Sequence, residues 1–263
     1  LVPLIVGMLS LAFNIQPAKS EWSGTVYIRA DGSIDPPDAP ITTLDNITYT
    51  LIDNITSSAD GIVVERDNIV LEGAGHSIQS TGIGIDLPNR SNVTIENINV
   101  EGFFSGGYGG IRLYQSSNIR ILGNNITGNS WYGIYLYESS YNMLRNNHMV
   151  NNEVNFGVSG SELSHFLNDV DASNTVDGKP IYYWVNKQDM LVPLDAGYVA
   201  LVNCTGITVQ NLHLAKNVQG VLLAYTTNST IAQNNITENQ KSFTQGILLW
   251  NSWRHGLRTL LLF

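Results

Sequence analysis

The sequence has little charge, a single cysteine and no run of basic residues. Charged residues make up 13% of the 263 residues, and 22 Asp plus Glu against 13 Lys plus Arg give a formal net charge of −9. Because no basic cluster is present to attract phosphates, we do not expect a nucleic-acid partner. Cys204 has no second cysteine with which to form a disulfide within the chain. We interpret it as a small side chain near a turn rather than as a reactive thiol.

The sequence also lacks the spacing of an amphipathic helix. Between residues 61 and 251 no apolar stripe with a 3.6-residue period persists for three turns. Instead, Ile, Val and Leu alternate with polar residues in short stretches that Gly, Asn and Ser separate. This pattern is typical of β-strands and predicts an all-β fold.

The short strands recur in a repeat of 22 to 26 residues. The repeats begin at Gly84, Gly110, Gly133, Tyr198 and Gly220. Each start is followed by apolar residues at positions +1 and +3, then at +11 and at +16, which implies three short inward-facing strands per repeat. Weaker repeats begin near Gly61, Gly157 and Gly246. We therefore predict one solenoid, a right-handed parallel β-helix of about eight coils whose stability comes from contacts between neighbouring coils.

An asparagine precedes the third apolar position in each of the five clear repeats, at position +13 or +14. These residues are Asn97, Asn124, Asn147, Asn211 and Asn234. Asparagine tolerates the left-handed backbone conformation and can form a hydrogen bond to an equivalent asparagine in the next coil. We predict that the five form an internal ladder.

The two ends of the chain differ from the repeats. The apolar run over residues 1–13 is too short to span a membrane, and Ala18-Lys19-Ser20 follows it as a signal-peptidase type of site, so we interpret residues 1–20 as a signal-peptide remnant. An uncleaved membrane anchor is the alternative, and it would be the chain's one contact with a membrane. Residues 21–60 are predicted to form a cap and the first strands, and residues 61–251 the repeats, with an irregular excursion over 161–197. No turn and strand are recognisable in residues 252–263, which we interpret as an aberrant, truncated tail.

Eight Asn-Xaa-Ser/Thr triplets agree with export. They begin at Asn46, Asn54, Asn89, Asn92, Asn125, Asn203, Asn228 and Asn235. As acceptor sites they would suit a glycosylated protein that is extracellular, at the cell surface or in the periplasm. The alternative is that a chain rich in Asn, Ser and Thr contains such triplets because these residues form turns.

The repeat pattern resembles that of a known family. Gly110-Ile111-Arg112-Leu113 followed by Asn124-Asn125, and Gly220-Val221-Leu222-Leu223 followed by Asn234-Asn235, are similar to the parallel β-helix repeats of the NosD-like family. That family is usually described as periplasmic copper-binding and is related to carbohydrate-binding and sugar-hydrolase β-helices. The segment over residues 174–184 also looks like one in archaeal members. The resemblance covers residues 61–251 and implies the fold, a periplasmic location and a possible role in copper delivery.

Copper requires soft or imidazole ligands that converge on one point. The candidates are His76, His148, His213, Met143, Met149, Met190 and Cys204. Met149 occupies an inward position of its repeat, and His148 and His213 lie in coils that are two or more steps apart, so we do not expect them to share an ion. We therefore predict no cofactor and keep copper delivery as an alternative.

A sugar hydrolase or lyase would need two or three outward carboxylates, about 5 to 10 Å apart in glycoside hydrolysis. Stacking of the repeats brings Asp86, Arg112 and Tyr135 into one outward column at +2, which contains only one acid. Four further acids, Asp169, Asp171, Asp177 and Asp189, lie in the irregular segment, where turn formation also explains them. A carbohydrate-active enzyme is the leading alternative, and we predict no catalytic residue.

Aromatic residues form the clearest outward pattern. Tyr114 and Tyr137 share the +4 position of adjacent coils, and Tyr108 and Trp131 share the −2 position. Such a strip could hold an oligosaccharide on its tyrosine rings, with Tyr135 beside them and Arg112 bonding to hydroxyl groups or an acidic sugar. Mutual stabilisation of aromatic neighbours on adjacent strands is the alternative explanation.

These observations together predict an exported, single-domain and non-catalytic binding protein. Its expected partner is a polysaccharide or another component of the cell envelope, and the tentative binding residues are Tyr108, Arg112, Tyr114, Trp131, Tyr135 and Tyr137.

Overall fold

The computed structural model describes residues 22–102, 109–238, 245–258 and 261–262. It is nearly all-β, with 53% strand and 2% helix, and its parallel strands stack into a β-solenoid of about nine turns. The predicted parallel β-helix is thus confirmed, with about one coil more than expected. Within the described ranges the one helix has four residues, and no helix there is long and apolar enough to cross a membrane.

Five short strands form the N-terminal end of the solenoid. They are β1 (Val26–Ile28), β2 (Ile34–Asp35), β3 (Ile41–Thr42), β4 (Thr48–Leu51) and β5 (Ile55–Ser57). Strands β1, β4 and β5 pair in parallel with the coil that follows. Strand β2 runs antiparallel to β1, and β3 runs antiparallel to β4. These antiparallel strands cover sheet edges that would otherwise be open to pairing with another chain.

Five coils of three strands follow. They are β6 (Ile62–Val64), β7 (Val70–Glu72) and β8 (Ser77–Ser80); β9 (Ile83–Pro88), β10 (Thr94–Glu96) and β11 (Asn99–Gly102); β12 (Gly109–Tyr114), β13 (Arg120–Leu122) and β14 (Asn125–Thr127); β15 (Tyr132–Tyr137), β16 (Met143–Arg145) and β17 (His148–Val150); and β18 (Val154–Ser159), the helix α1 (Leu163–Phe166), β19 (Asp169–Val170) and β20 (Thr175–Val176). Equivalent strands pair from coil to coil and form three sheets. The first sheet contains β6, β9, β12, β15 and β18, the second contains β7, β10, β13, β16 and β19, and the third contains β8, β11, β14, β17 and β20. We call β1 to β20 the first stack.

The repeat pattern follows from packing inside the coils. Ile111 and Leu113 of β12 are fully buried and lie in register with Ile85 and Leu87 in the coil before and with the equivalent pair in the coil after. The glycine that opens each repeat lies where the coils approach closely. A Cβ atom added to Gly110 would lie 2.4 Å from the carbonyl oxygen of the next repeat's first glycine. A larger residue there would therefore push adjacent coils apart.

The chain reverses direction after β20. Strand β21 (Lys179–Val185) runs antiparallel to β20 and starts a second stack. The second stack continues with β22 (Tyr198–Val202), β23 (Thr208–Gln210), β24 (His213–Ala215), β25 (Gln219–Ala224), β26 (Thr230–Ala232), β27 (Asn235–Thr237), β28 (Gln245–Trp250), β29 (Gly256–Arg258) and β30 (Leu261–Leu262). The segment 161–197, which the sequence suggested as an irregular excursion, thus contains α1 and β19 to β21, and the strand direction reverses between β20 and β21 while the same sheet continues.

The buried residues form two cores, one for each stack. Alternate residues of β22 face different cores: Val199 and Leu201 belong to the core of the second stack, whereas Ala200 and Val202 belong to that of the first. All five residues of β22 and all six of β25 are buried. The sheet formed by β21, β22, β25 and β28 therefore covers the end of the first stack and excludes water from both cores.

At this junction the free edge of β18, the last strand of the first sheet, forms hydrogen bonds with the second stack. The backbone N–H of Asn155 donates to the Lys216 carbonyl at 2.6 Å, and the N–H of Val218 donates to the Phe156 carbonyl at 2.9 Å. A Cβ atom at Gly157 would lie 2.3 Å from the Val218 side chain. A coil does begin near Gly157, as predicted, with β18. Gly157 itself is in register with Tyr135, so it is an outward residue of that coil and makes room for the second stack.

The C-terminal residues continue the last coil. The Ser252 hydroxyl accepts a hydrogen bond from the N–H of Thr226 at 2.9 Å, and β29 pairs in parallel with β26. A turn and a strand thus follow Trp250, which differs from the expectation of an aberrant tail.

Candidate functional site

The outward residues of the first sheet lie side by side on adjacent strands. Arg112 is in register with Asp86 and Tyr135, and Tyr114 is in register with Pro88 and Tyr137. Trp131 precedes β15 and is half-buried, and its ring centroid lies 6.4 Å from that of Tyr132. Tyr108 lies outside the described residues. The structure thus brings five of the six predicted binding residues to one region of the outer surface.

Tyr114 and Tyr137 form a stacked pair. Their ring centroids are 5.2 Å apart and their planes are inclined by only 4°, a separation within the range for offset-stacked aromatic rings. Tyr114 is 37% exposed and Tyr137 is half-buried. Each ring turns one face toward the other, and Pro88 and Ser159 are in register with the pair on its two outer sides. The part of the pair that solvent reaches therefore belongs mainly to Tyr114.

The sequence predicts that Arg112 bonds to the sugar, but in the structure its guanidinium group is paired with Asp86. Its Nε and Nη2 donate to Asp86 Oδ1 and Oδ2 at 2.8 and 2.7 Å, a bidentate geometry, and Asp86 is only 6% exposed. The hydrogen bond to Asp86 is the main cause of the raised pKa of Arg112. Its Cζ lies 5.9 Å from the ring centroid of Tyr114. Arg112 therefore positions the aromatic surface, and two of its donors are already occupied.

Tyr132 belongs to this surface, although the sequence pattern did not single it out. Its ring centroid lies 5.1 Å from that of Tyr135, and a Cβ atom at Gly109 would be 2.3 Å from the Tyr132 ring. Burial raises the pKa of Tyr132 to about 12, against an opposing effect of the nearby Arg112. The signal in the sequence was the pairing of a tyrosine with a glycine in the coil before, which leaves space for the ring.

The acids considered for catalysis have structural partners. Asp169 and Asp171 both form ion pairs with Arg145, the second at 3.0 Å. Asp177 accepts hydrogen bonds from Asn155 Nδ2 at 2.9 Å and from the N–H of residue 151 at 3.0 Å. Asp189 has a left-handed backbone (φ 50°) and lies against Gly206. Each of these positions is explained by local structure.

The candidate copper ligands differ widely in their surroundings. Met149 is fully buried in the core, and the Cys204 thiol lies 3.3 Å from two backbone carbonyl oxygens, where burial raises its pKa. His148 and His213 are exposed on β17 and β24. The described residues contain no group of three or more His, Cys, Asp or Glu able to hold a metal ion. The remaining candidates, His76, Met143 and Met190, lie in three further places along the chain. This donor set does not fit a copper centre built by the described chain alone.

Buried asparagines link successive coils of the first stack. Asn124 Nδ2 donates to Asn147 Oδ1 at 3.0 Å, and Asn147 Nδ2 donates to Asn174 Oδ1 at 2.8 Å. Asn147 Nδ2 also donates to the Ile121 carbonyl at 2.7 Å. All three asparagines are fully buried. Asn234 is buried in the second stack, where its Nδ2 donates to the Val209 carbonyl at 2.9 Å.

Asn97 and Asn211 lie outside this ladder because of a one-residue offset. Both are exposed, with φ of 56° and 57°. They stand at +13, whereas Ile98 and Leu212 occupy the ladder position at +14. The N–H groups of these two residues donate to Asn124 and Asn234 Oδ1, each at 3.0 Å. The two positions therefore have distinct roles, one in left-handed turns and one in the interior.

The asparagines of the eight glycosylation triplets are on the surface with one exception. Seven are exposed, and Asn235 on β27 is half-buried. Exposure is compatible with both interpretations of the triplets.

No curated protein sequence matches the chain. The family described as periplasmic copper-binding protein (NosD) matches residues 41–182. This match covers more than half of the chain, from β3 into β21, and includes every strand around the tyrosine pair. Because the family match and the repeat geometry agree, we conclude that the chain belongs to the NosD family.

Proposed function

We propose that this NosD-family chain is an exported, non-catalytic binding protein of the periplasm or cell surface. Its ligand in this proposal is a polysaccharide or another glycan of the cell envelope. The observation that carries the proposal is the stacked pair of Tyr114 and Tyr137 on the outer face of the first sheet. The periplasmic description of the family supports export.

Tyrosine side chains suit this ligand because each combines an apolar ring with a polar hydroxyl group. They also provide large contact areas while losing little conformational entropy, since only two side-chain torsions are fixed. The pair stands on β12 and β15, two strands of a continuous sheet, so its spacing is set by the backbone. In this proposal a sugar lies across the pair, its apolar side contacts the exposed part of the rings, and its hydroxyl groups bond to the tyrosine hydroxyl groups.

The charges near the pair favour an uncharged sugar. Arg112 is neutralised by Asp86 through two hydrogen bonds. An acidic sugar would have to compete with a buried carboxylate for the guanidinium, and separating that ion pair would leave the carboxylate unpaired. We therefore expect neutral hexose polymers to bind more tightly than uronic-acid polymers.

The test is a glycan-array screen of the purified chain beside a Tyr114→Ala/Tyr137→Ala double variant. We expect the wild-type chain to bind neutral polysaccharides and the double variant to lose polysaccharide binding with an unchanged far-UV circular dichroism spectrum. Tyr27→Ala is the matched control, because Tyr27 is also half-buried on the outer side of the first sheet. Retained polysaccharide binding in a folded double variant would overturn the proposal, and so would equal loss in the control.

Copper delivery is the second candidate, and the family description is the observation that favours it. A copper titration of the purified chain under reducing and oxidising conditions tests it. From the separation of the donors we expect no stoichiometric binding. Tight one-to-one binding that His148→Ala or His213→Ala removes would favour the copper function over glycan binding.

A further inference from the structure

A groove of about 490 Å³ lies where the second stack meets the last coil of the first. Leu167, Tyr183 and Val185 line it on the apolar side. The rest of the lining consists of Tyr141, Asn168 and the charged residues Asp169 and Lys187. Its volume falls within the range of about 300 to 1,000 Å³ that is usual for small-molecule sites. Because its walls come from both stacks, the groove exists only when the junction is formed.

Tyr141 has a left-handed backbone, as do Tyr225 and several other residues of the chain, but it is the one residue of its own column that is not asparagine. Tyr141 follows Asn68, Asn92 and Asn118 in a column of equivalent turns, and the four residues have φ of 58°, 55°, 55° and 58°. The column is linked by backbone hydrogen bonds, in which the N–H of each residue donates to the turn of the next coil. Asparagine adopts the left-handed conformation more readily than most other L-residues.

Burial does not explain the tyrosine at position 141. Its side chain is 58% exposed, so the ring gains little free energy through burial. Unlike Tyr114, it stacks on no other aromatic ring among the described residues. An exposed aromatic ring in the lining of a groove is an arrangement in which the side chain can contact a ligand.

The charges around the groove are balanced. Arg145 forms ion pairs with Asp169 and Asp171, and Lys187 adds a second cation. Two acids and two bases favour an uncharged ligand that accepts and donates hydrogen bonds along its edge. Combined with an exposed aromatic face and an apolar wall, this chemistry suits a sugar ring.

We infer that the junction groove is a separate binding site for a short neutral saccharide. The Tyr141 ring covers the apolar face of one pyranose ring, and Asp169 and Lys187 bond to its hydroxyl groups. This site shares its class of ligand with the proposed function and uses none of the same residues, so either can fail without the other.

The test is a calorimetric titration of the full chain with maltose, cellobiose and chitobiose. We expect at least one of them to bind and Tyr141→Asn to weaken that binding about tenfold or more, the equivalent of about 1.4 kcal/mol. Tyr141→Asn restores the residue type of the column, so its melting temperature should be unchanged or higher. Lys187→Gln should also weaken binding.

The matched control is the Tyr114→Ala/Tyr137→Ala variant, which should bind the same disaccharide as tightly as the wild-type chain. Absence of binding by the wild-type chain to all three disaccharides would overturn the inference. So would unchanged binding by Tyr141→Asn. Loss of binding in the double variant alone would assign the saccharide to the outer face of the first sheet and exclude the groove.

Discussion

Two columns of asparagines run along the first stack, one inside the coils and one outside. Inside, the side-chain amides of Asn124 and Asn147 each bond to the next asparagine and to a backbone carbonyl. Outside, Asn92 and Asn118 are exposed and have left-handed φ of 55°. The inner column is buried, and its hydrogen bonds satisfy polar groups that water cannot reach. The outer column is exposed: Asn92 Nδ2 donates to Asn68 Oδ1 at 3.0 Å, but the feature that all its members share is the left-handed backbone conformation.

This difference separates positions that maintain the fold from positions that are open to function. An inner asparagine has buried partners that no apolar residue can replace. An outer position accepts any residue that tolerates its φ, at a moderate cost. Tyr141 shows such an exchange, because it keeps the left-handed turn of its column and brings an aromatic ring to the junction groove.

The largest effect is expected for Asn147→Leu. The substitution removes the acceptor of the Asn124 N–H and the donor to the Ile121 carbonyl. Each buried group left unpaired should lower the free energy of unfolding by about 1–3 kcal/mol. Urea denaturation measures this loss, and a midpoint equal to that of the wild-type chain would show that these groups are solvated in the native state.

Tyr132 should behave like an inner residue although it lies on the outer face. Its pKa is raised from 10.0 to about 12 by burial, so the folded chain retains this proton longer than the unfolded chain. Its stabilising contribution is fully present below pH 10 and is lost as the pH rises toward 12, by about 2–3 kcal/mol in total. Tyr132→Phe should therefore reduce the alkaline loss of stability in urea titrations. An identical pH profile for the variant would contradict the burial of the hydroxyl group.

A smaller effect is expected in the outer asparagine column. Asn118→Ala should destabilise the chain by about 1 kcal/mol, because alanine is strained at positive φ. Asn118→Gly should cost less, since glycine adopts this conformation without strain. Thermal unfolding of the two variants distinguishes the backbone effect from the loss of a side-chain contact. If the side-chain contact were the cause, both variants would be equally destabilised.

The smallest effect on stability is expected for Tyr114→Ala. Cross-strand aromatic pairs contribute about 0.2–1 kcal/mol, and this ring is exposed. A loss above about 2 kcal/mol in urea denaturation would mean that the tyrosine pair serves the fold.

The sequence was sufficient to predict the β-helix and the register of most coils. Its apolar pairs recur at fixed spacing, and a parallel stack has only one register that keeps them all inside. The placement of Arg112 beside Asp86 followed from that register. Their ion pair did not, because a column of residues does not show which side chains bond to each other.

Features that depend on a single residue or on distant segments were not predictable. Asn97 and Asn124 differ by one position within the repeat, yet one is exposed and the other buried. The reversal at β21 depends on a turn of two residues, and nothing in the repeat pattern indicates where a stack ends. The junction groove joins Tyr141 to Lys187 across that reversal, so no local pattern brings them together.

The most direct test of the account uses the chain labelled with ¹³C-tyrosine. A neutral glycan that the array identifies is titrated into it, and the tyrosine signals are followed by nuclear magnetic resonance. The account predicts that the signals of Tyr114 and Tyr137 shift, whereas those of Tyr49 and Tyr198, which are fully buried, remain unchanged. Shifts that are absent from both outer tyrosines while the glycan binds would contradict the claim that the outer aromatic surface serves a ligand.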